Sequence, residues 1–174
     1  LSRFSDPEAP IFLVGFMGAG KTTAGRALAA RLRWEFADTD ELVERALGRA
    51  VESIFREAGE GRFRDAEWDA LRSLDGRRRV VVATGGGLFL GVPQRAFIRA
   101  NGPSCWLDAP LHVVAARLES GGARPLWVGE DALARRVLFE RRRAAYALAD
   151  CRVDASRGGA DSLASDIEAR WRAL

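Results

Sequence analysis

Of the 27 basic side chains in this sequence only one is a lysine, Lys21. It lies in Gly15-Phe-Met-Gly18-Ala-Gly20-Lys21-Thr22, which matches G-x-x-x-x-G-K-[ST] at every fixed position. Each position of that pattern has a mechanical role. Glycines reach positive φ and let backbone N–H groups approach phosphate oxygens with no Cβ in the way. A compact ammonium reaches the β- and γ-phosphates where a guanidinium fork is too wide, and a hydroxyl suits Mg²⁺. Gly18, Ala19, Gly20, Lys21, Thr22 and Thr23 are therefore the expected contacts to a nucleoside triphosphate.

Three further groups suggest a second, acceptor site. Asp38-Thr39-Asp40 ends a candidate strand, at the edge where ligands bind in open α/β sheets. One carboxylate there can serve a metal while the other faces a substrate hydroxyl, and either can equally cap the following helix. Arg64 and Glu67 are spaced i, i+3, so they share a helix face. They suit a carboxylate-bearing ligand or a plain surface ion pair. Thr84-Gly85-Gly86-Gly87 follows the strongest strand signal, and three glycines let backbone amides touch a small ligand.

The elements that must position these residues alternate along the chain. Strand patterns cover 11–14, 34–37, 80–83, 104–107 and 151–153. Helical patterns cover 22–33, 39–47, 51–58, 61–74, 94–100, 111–118, 131–148 and 161–173. Alternating strands and helices imply right-handed βαβ units, a parallel sheet covered on both faces, and an α/β class. Residues 120–129, rich in glycine, read as a loop. Residues 1–10 read as a flexible arm and 11–174 as one domain.

Composition narrows the function classes. With 48% hydrophobic and 29% charged residues the chain is a globular protein. Its longest apolar run, Ile11 to Gly20, falls well short of the ~20 residues of a membrane span and does not read as a secretory signal. Cys105 and Cys151 have no metal-type spacing and point to a reducing compartment. The net charge of +3 suits an anionic substrate. Arg77-Arg78-Arg79 is the best nucleic-acid candidate but reads as a solvated turn, Trp106 as core, and His112 as a helix-start residue without a catalytic role.

Taken together, Gly15 to Lys21, Asp38-Thr39-Asp40, Phe63-Arg64 with Glu67, Thr84 to Gly87 and Arg124-Pro125-Leu126 occur in the order and at the separations found in the shikimate kinase family. The chain resembles that family from Ile11 onward. The resemblance implies a three-layer P-loop kinase fold with five parallel strands ordered 2-3-1-4-5, a shikimate-binding segment near 50–74 and a lid near 120–129. It implies transfer of the γ-phosphate of ATP to the 3-hydroxyl of shikimate, with Mg²⁺, on the chorismate route to aromatic amino acids, in a cytoplasmic monomer with no nucleic-acid or membrane partner. By resemblance, Asp40 contacts the ring hydroxyls and is the base. Asp38 with Thr22 serves the metal, and Lys21 and Arg124 stabilise the transferring phosphate. Arg64 and Arg142 bind the shikimate carboxylate, Gly85, Gly86 and Gly87 border the ring, and Glu67 partners Arg64. Arg117, Arg124 and Arg157 are nucleotide contacts, Arg117 and Arg157 at the adenine edge.

Three departures stand out. Relatives often carry a proline between the carboxylate-binding arginine and the next tyrosine, whereas Arg141-Arg-Arg-Ala-Ala-Tyr146 has none. Arg142 is chosen by its four-residue spacing to Tyr146, with Arg141 and Arg143 as alternatives. The lid carries Trp127 where a leucine is commoner, and Gly158-Gly159 replace polar residues at the adenine edge. Two rivals remain: a kinase for another small hydroxy acid such as gluconate, and an ATPase stimulated by nucleic acid.

Overall fold

The computed structural model describes residues 6–121 and 131–174. Five strands, β1 (Ile11–Val14), β2 (Glu35–Asp38), β3 (Val80–Ala83), β4 (Ser104–Asp108) and β5 (Cys151–Asp154), form one parallel sheet in the order β2-β3-β1-β4-β5. Every residue of β1, β3 and β4 is buried, as continuous apolar strands covered on both faces must be. The described helices are α1 (Lys21–Leu32), α2 (Thr39–Leu47), α3 (Val51–Arg72), α4 (Val92–Asn101), α5 (Leu111–Gly121), α6 (Ala132–Tyr146) and α7 (Ala160–Arg172).

Most of the boundaries follow the apolar pattern, and the differences have local causes. The two helices expected over 51–58 and 61–74 are both present within Val51–Arg72, separated by a backbone kink at Gly59, where φ is 80°. A side chain is disfavoured there, so the glycine permits the bend. Val43, Ile54, Phe63 and Ala70 form a small separate core beneath this segment. Leu88–Leu90 adds a 3₁₀ turn that short-range periodicity does not reveal, and Ser120 belongs to α5 rather than to the following loop. No helix among the described residues is long and apolar enough to cross a membrane.

Of the arm expected over residues 1–10, residues 6–10 are described and make long-range contacts. Ala9 is buried, the Arg79 N–H donates to the Glu8 carbonyl at 2.8 Å, and Arg78 forms ion pairs with Asp6 and Glu8. Those partners lie some seventy positions along the chain, beyond the reach of local pattern. The same pairings occupy Arg78, and Arg77 pairs with Glu35. Residues 1–5 lie outside the described residues, as do Arg124 and Trp127. Cys105 and Cys151 sit opposite one another in the β4–β5 register as free thiols.

One close approach sets the distance between α1 and the sheet. A Cβ on Gly25 would lie 2.6 Å from the Phe36 ring and 3.1 Å from Leu13. Gly25→Ala should therefore lower the unfolding free energy in urea by roughly 1–3 kcal/mol, the overpacking cost outweighing the gain in helix propensity. An unchanged or raised value would mean that α1 can move away without loss.

Candidate active site

β1 and β3 end side by side at the carboxyl edge of the sheet. The Thr84 N–H and hydroxyl both donate to the Leu13 carbonyl, at 3.1 and 3.0 Å. From that edge the Gly15–Gly20 loop leaves β1 with φ of 144°, 75° and 95° at Gly15, Gly18 and Gly20. Gly15 also has no room for a side chain, because a Cβ would lie 2.6 Å from the Leu107 carbonyl oxygen. Gly20 caps α1 without a side-chain acceptor, so the helix presents its first-turn amides and positive dipole end to a ligand. They face a cleft of about 540 Å³ whose lining includes Gly18, Ala19, Gly20, Lys21, Thr22 and Thr23.

Lys21 is buried and its Nζ donates to the Gly15 and Phe16 carbonyls at 2.8 and 2.9 Å. The ammonium thus sits inside the curl of the loop, a space suited to a point donor rather than a planar fork. Arg117 crosses the cleft wall and donates to the Ala155 carbonyl at 3.0 Å, near Gly158 and Gly159. Arg157 is exposed and is not among the residues lining the cleft.

The two aspartates at the end of β2 divide their work. Asp38 is the N-cap of α2: one oxygen accepts from the Asp40 N–H at 2.9 Å, the other from the Thr22 hydroxyl at 2.7 Å. Capping and service to the nucleotide site are therefore combined in one carboxylate. Asp40 stands two residues further on and borders both the phosphate cleft and a second cavity.

That second cavity has apolar walls from Val51, Phe55 and Phe63 and polar groups from Arg64, Glu67 and Arg142. Its floor is Gly86 and Gly87. Side chains here would crowd the neighbouring groups. A Cβ on Gly85 would lie 2.8 Å from Asp40 Oδ1 and would also strike Glu67, and one on Gly87 would lie 2.6 Å from the Arg64 guanidinium carbon. A Gly86 Cβ would meet the Met17 amide nitrogen at 3.2 Å and Arg142 at 3.3 Å. Two contacts hold the glycine run in place: the Gly85 N–H donates to the Thr39 hydroxyl at 2.8 Å, and the Tyr146 hydroxyl donates to the Gly86 carbonyl. Neither role was read from the sequence, where Thr39 was only the middle of a tripeptide and Tyr146 only a spacing mark.

The three consecutive arginines of α6 separate cleanly. Arg142 is 4% exposed and faces the cavity beside Arg64. Arg143 pairs with Asp108 at 3.0 Å, and Arg141 is exposed on an adjoining groove. Burial draws the Arg142 guanidinium below its ordinary pKa, with Tyr146 partly offsetting it. Burial acts likewise on Arg64, but Glu67 and Glu60 outweigh it and raise the value. Burial also pushes the Tyr146 phenol up to about 12. Glu67 is 2% exposed. Burial raises its carboxyl to about 7, opposed by Arg64 and reinforced by the charge of Asp40.

A parallel sheet of this order, a phosphate-binding loop at its centre and an acceptor cavity bordering the same cleft define a P-loop α/β kinase acting on small molecules. The shikimate kinase family model matches residues 17–171. The chain is 49% identical over 123 residues to a shikimate kinase of Nitratidesulfovibrio vulgaris, covering 69% of this chain and 70% of the relative. It is 38% identical over 162 residues to one of Persephonella marina, covering 93% and 98%. The solved shikimate kinase of Acinetobacter baumannii in complex with shikimate superposes with a TM-score of 0.87 at 36% identity, over 93% of this chain and 92% of that one. The chain belongs to the shikimate kinase family.

The raised Glu67 pKa makes a stability prediction. A carboxyl that titrates higher in the folded protein favours folding at low pH, and the benefit is lost as pH rises from about 4.5 through about 7. Relative to Glu67→Gln, the wild type should lose roughly 2–3 kcal/mol of unfolding free energy between pH 5 and pH 8 in urea titrations. Parallel pH curves for the two proteins would show that Glu67 titrates as an ordinary carboxylate.

Proposed function

We propose that this shikimate kinase family member transfers the γ-phosphoryl group of ATP to the 3-hydroxyl of shikimate, a step of chorismate and aromatic amino-acid synthesis. The observation that carries the reading is that Met17, Asp40 and Gly86 border the phosphate cleft and the arginine-lined cavity alike. A hydroxyl held in the second cavity thus lies beside a phosphate held in the first.

In this reading Arg64 and Arg142 grip the acceptor carboxylate through charge-assisted hydrogen bonds, while Phe55 and Phe63 wall the ring. Gly85, Gly86 and Gly87 admit the ring against bare backbone. Asp40 orients the 3-hydroxyl and accepts its proton as the oxygen attacks phosphorus. Lys21 and the first amides of α1 receive the charge that spreads over the transferring phosphoryl oxygens. By resemblance Arg124, outside the described residues, adds a second cation, and Arg117 and Arg157 are adenine contacts, although Arg157 does not line the cleft. Thr22 and Asp38 supply hard oxygen donors, which fit Mg²⁺, an ion that keeps several water and phosphate ligands. When bound, that ion neutralises phosphate charge. The same reading has the protein act as a cytoplasmic monomer, without nucleic acid or membrane.

Coupled ADP release with shikimate, gluconate or an oligonucleotide tests the substrate. Shikimate alone should drive turnover; stimulation by gluconate or by oligonucleotide would favour those readings instead. Asp40→Asn should lower kcat by about 10² or more with the KM for ATP little changed, as expected on loss of a general base. A loss confined to ATP affinity would move Asp40 to the nucleotide site.

A further inference from the structure

We propose that Asp108 is a positioning residue for the acceptor site, acting through Arg143 to hold Arg142 toward the bound carboxylate; this rests on the function proposed above. Asp108 ends β4, and its side chain is only 8% exposed. The same oxygen, Oδ2, accepts from Arg143 on α6 at 3.0 Å and from Arg152 on β5. Both guanidiniums also lie against the Trp106 ring, at 5.3 and 4.9 Å from its centroid. One carboxylate and one indole therefore tie α6 to two strands of the sheet.

The tie matters because little of α6 is buried. Of its fifteen residues only Phe139, Arg142 and Tyr146 are buried. Phe139 packs edge-on against Phe16 at 5.2 Å, and Tyr146 reaches the Gly86 carbonyl. Arg142 follows the helix wherever it turns, and its neighbour Arg143 fixes that turn from the adjacent face. A rotation of about 10° about the helix axis would carry a long side-chain tip roughly 1 Å, enough to spoil a two-arginine grip on a carboxylate.

Asp108 reaches the nucleotide side as well. Its carbonyl accepts from the Ala155 N–H at 2.8 Å, and the Ala155 carbonyl accepts from Arg117 in the cleft wall. Neither contact uses the Asp108 side chain, so exchanging the carboxylate leaves them intact. Substitution of the side chain should consequently affect the acceptor alone.

The test is steady-state kinetics on Asp108→Asn, which keeps shape and removes charge. Arg143 and Arg152 side chains are 33% and 61% exposed, so neither guanidinium is stranded away from water when the carboxylate goes. The KM for shikimate should rise about 5–20-fold, with kcat and the KM for ATP within about twofold of wild type. Asp108→Glu should recover part of the loss. Arg143→Gln breaks the same tie from the other side and should show the same split, which covers the case in which Asp108→Asn does not fold. In an Arg142→Met background, Asp108→Asn should add nothing further to the shikimate KM. An unchanged shikimate KM in folded Asp108→Asn and Arg143→Gln would overturn the proposal. So would an equal loss on kcat and both KM values, or a full additional effect in the Arg142→Met background. Wild type measured in the same assay separates the two ideas, since absence of shikimate turnover there defeats the function itself and not the positioning.

Discussion

The acceptor half of this molecule depends on the missing side chains at Gly85, Gly86 and Gly87. Asp40, Glu67, Arg64 and Arg142 close on that stretch from three helices, and all lie within 3.3 Å of where a Cβ would stand. A buried cavity holding this many charged groups is stable only if they balance one another. Arg64 bridges Glu60 and Glu67, and the buried Glu67 carboxyl is raised toward neutrality. The second guanidinium, Arg142, is drawn down by burial. In the proposed function an incoming carboxylate supplies a negative charge that this arrangement would accommodate. The recognition chemistry and the electrostatic balance of the cavity are thus the same arrangement.

The proposed nucleotide half is simpler, being built around the loop backbone and one lysine. Its link to the acceptor half lies in Asp38-Thr39-Asp40. The first carboxylate caps α2 and holds Thr22, the threonine hydroxyl holds Gly85, and the second carboxylate faces the shared boundary of the two cavities. Three consecutive side chains therefore tie the phosphate loop, the glycine run and the candidate base to one another. The tripeptide lies at the carboxyl edge of the sheet, so the strands that build the core also set the spacing between donor and acceptor.

Much of this architecture is legible in the sequence, for reasons that can be named. Buried parallel strands read as unbroken apolar runs, so β1 and β3 stand out, and the phosphate loop carries its own punctuation. Gly59 appears as the gap between two helical patterns and is where the backbone kinks between the two helices. The strand order was available only through family resemblance, because periodicity carries no information about which strands are neighbours. Contacts between distant residues are not written in any local pattern. Gly25 against Phe36, Glu8 against Arg79 and Asp108 against Arg143 all belong to that class. Arg142 could be singled out from its neighbours by its spacing to Tyr146, but the burial that distinguishes it comes from the fold.

The central claim is that two guanidiniums facing bare glycine backbone select an acceptor by its carboxylate. The most direct measurement compares kcat/KM for shikimate with that for its carboxamide, which has the same ring and hydroxyls but no charge. Loss of two charge-assisted contacts should lower kcat/KM by about 10² or more, mostly through KM. Equal efficiency with the two acceptors would contradict the account, since the arginine-lined cavity would then not be where the acceptor acid is bound.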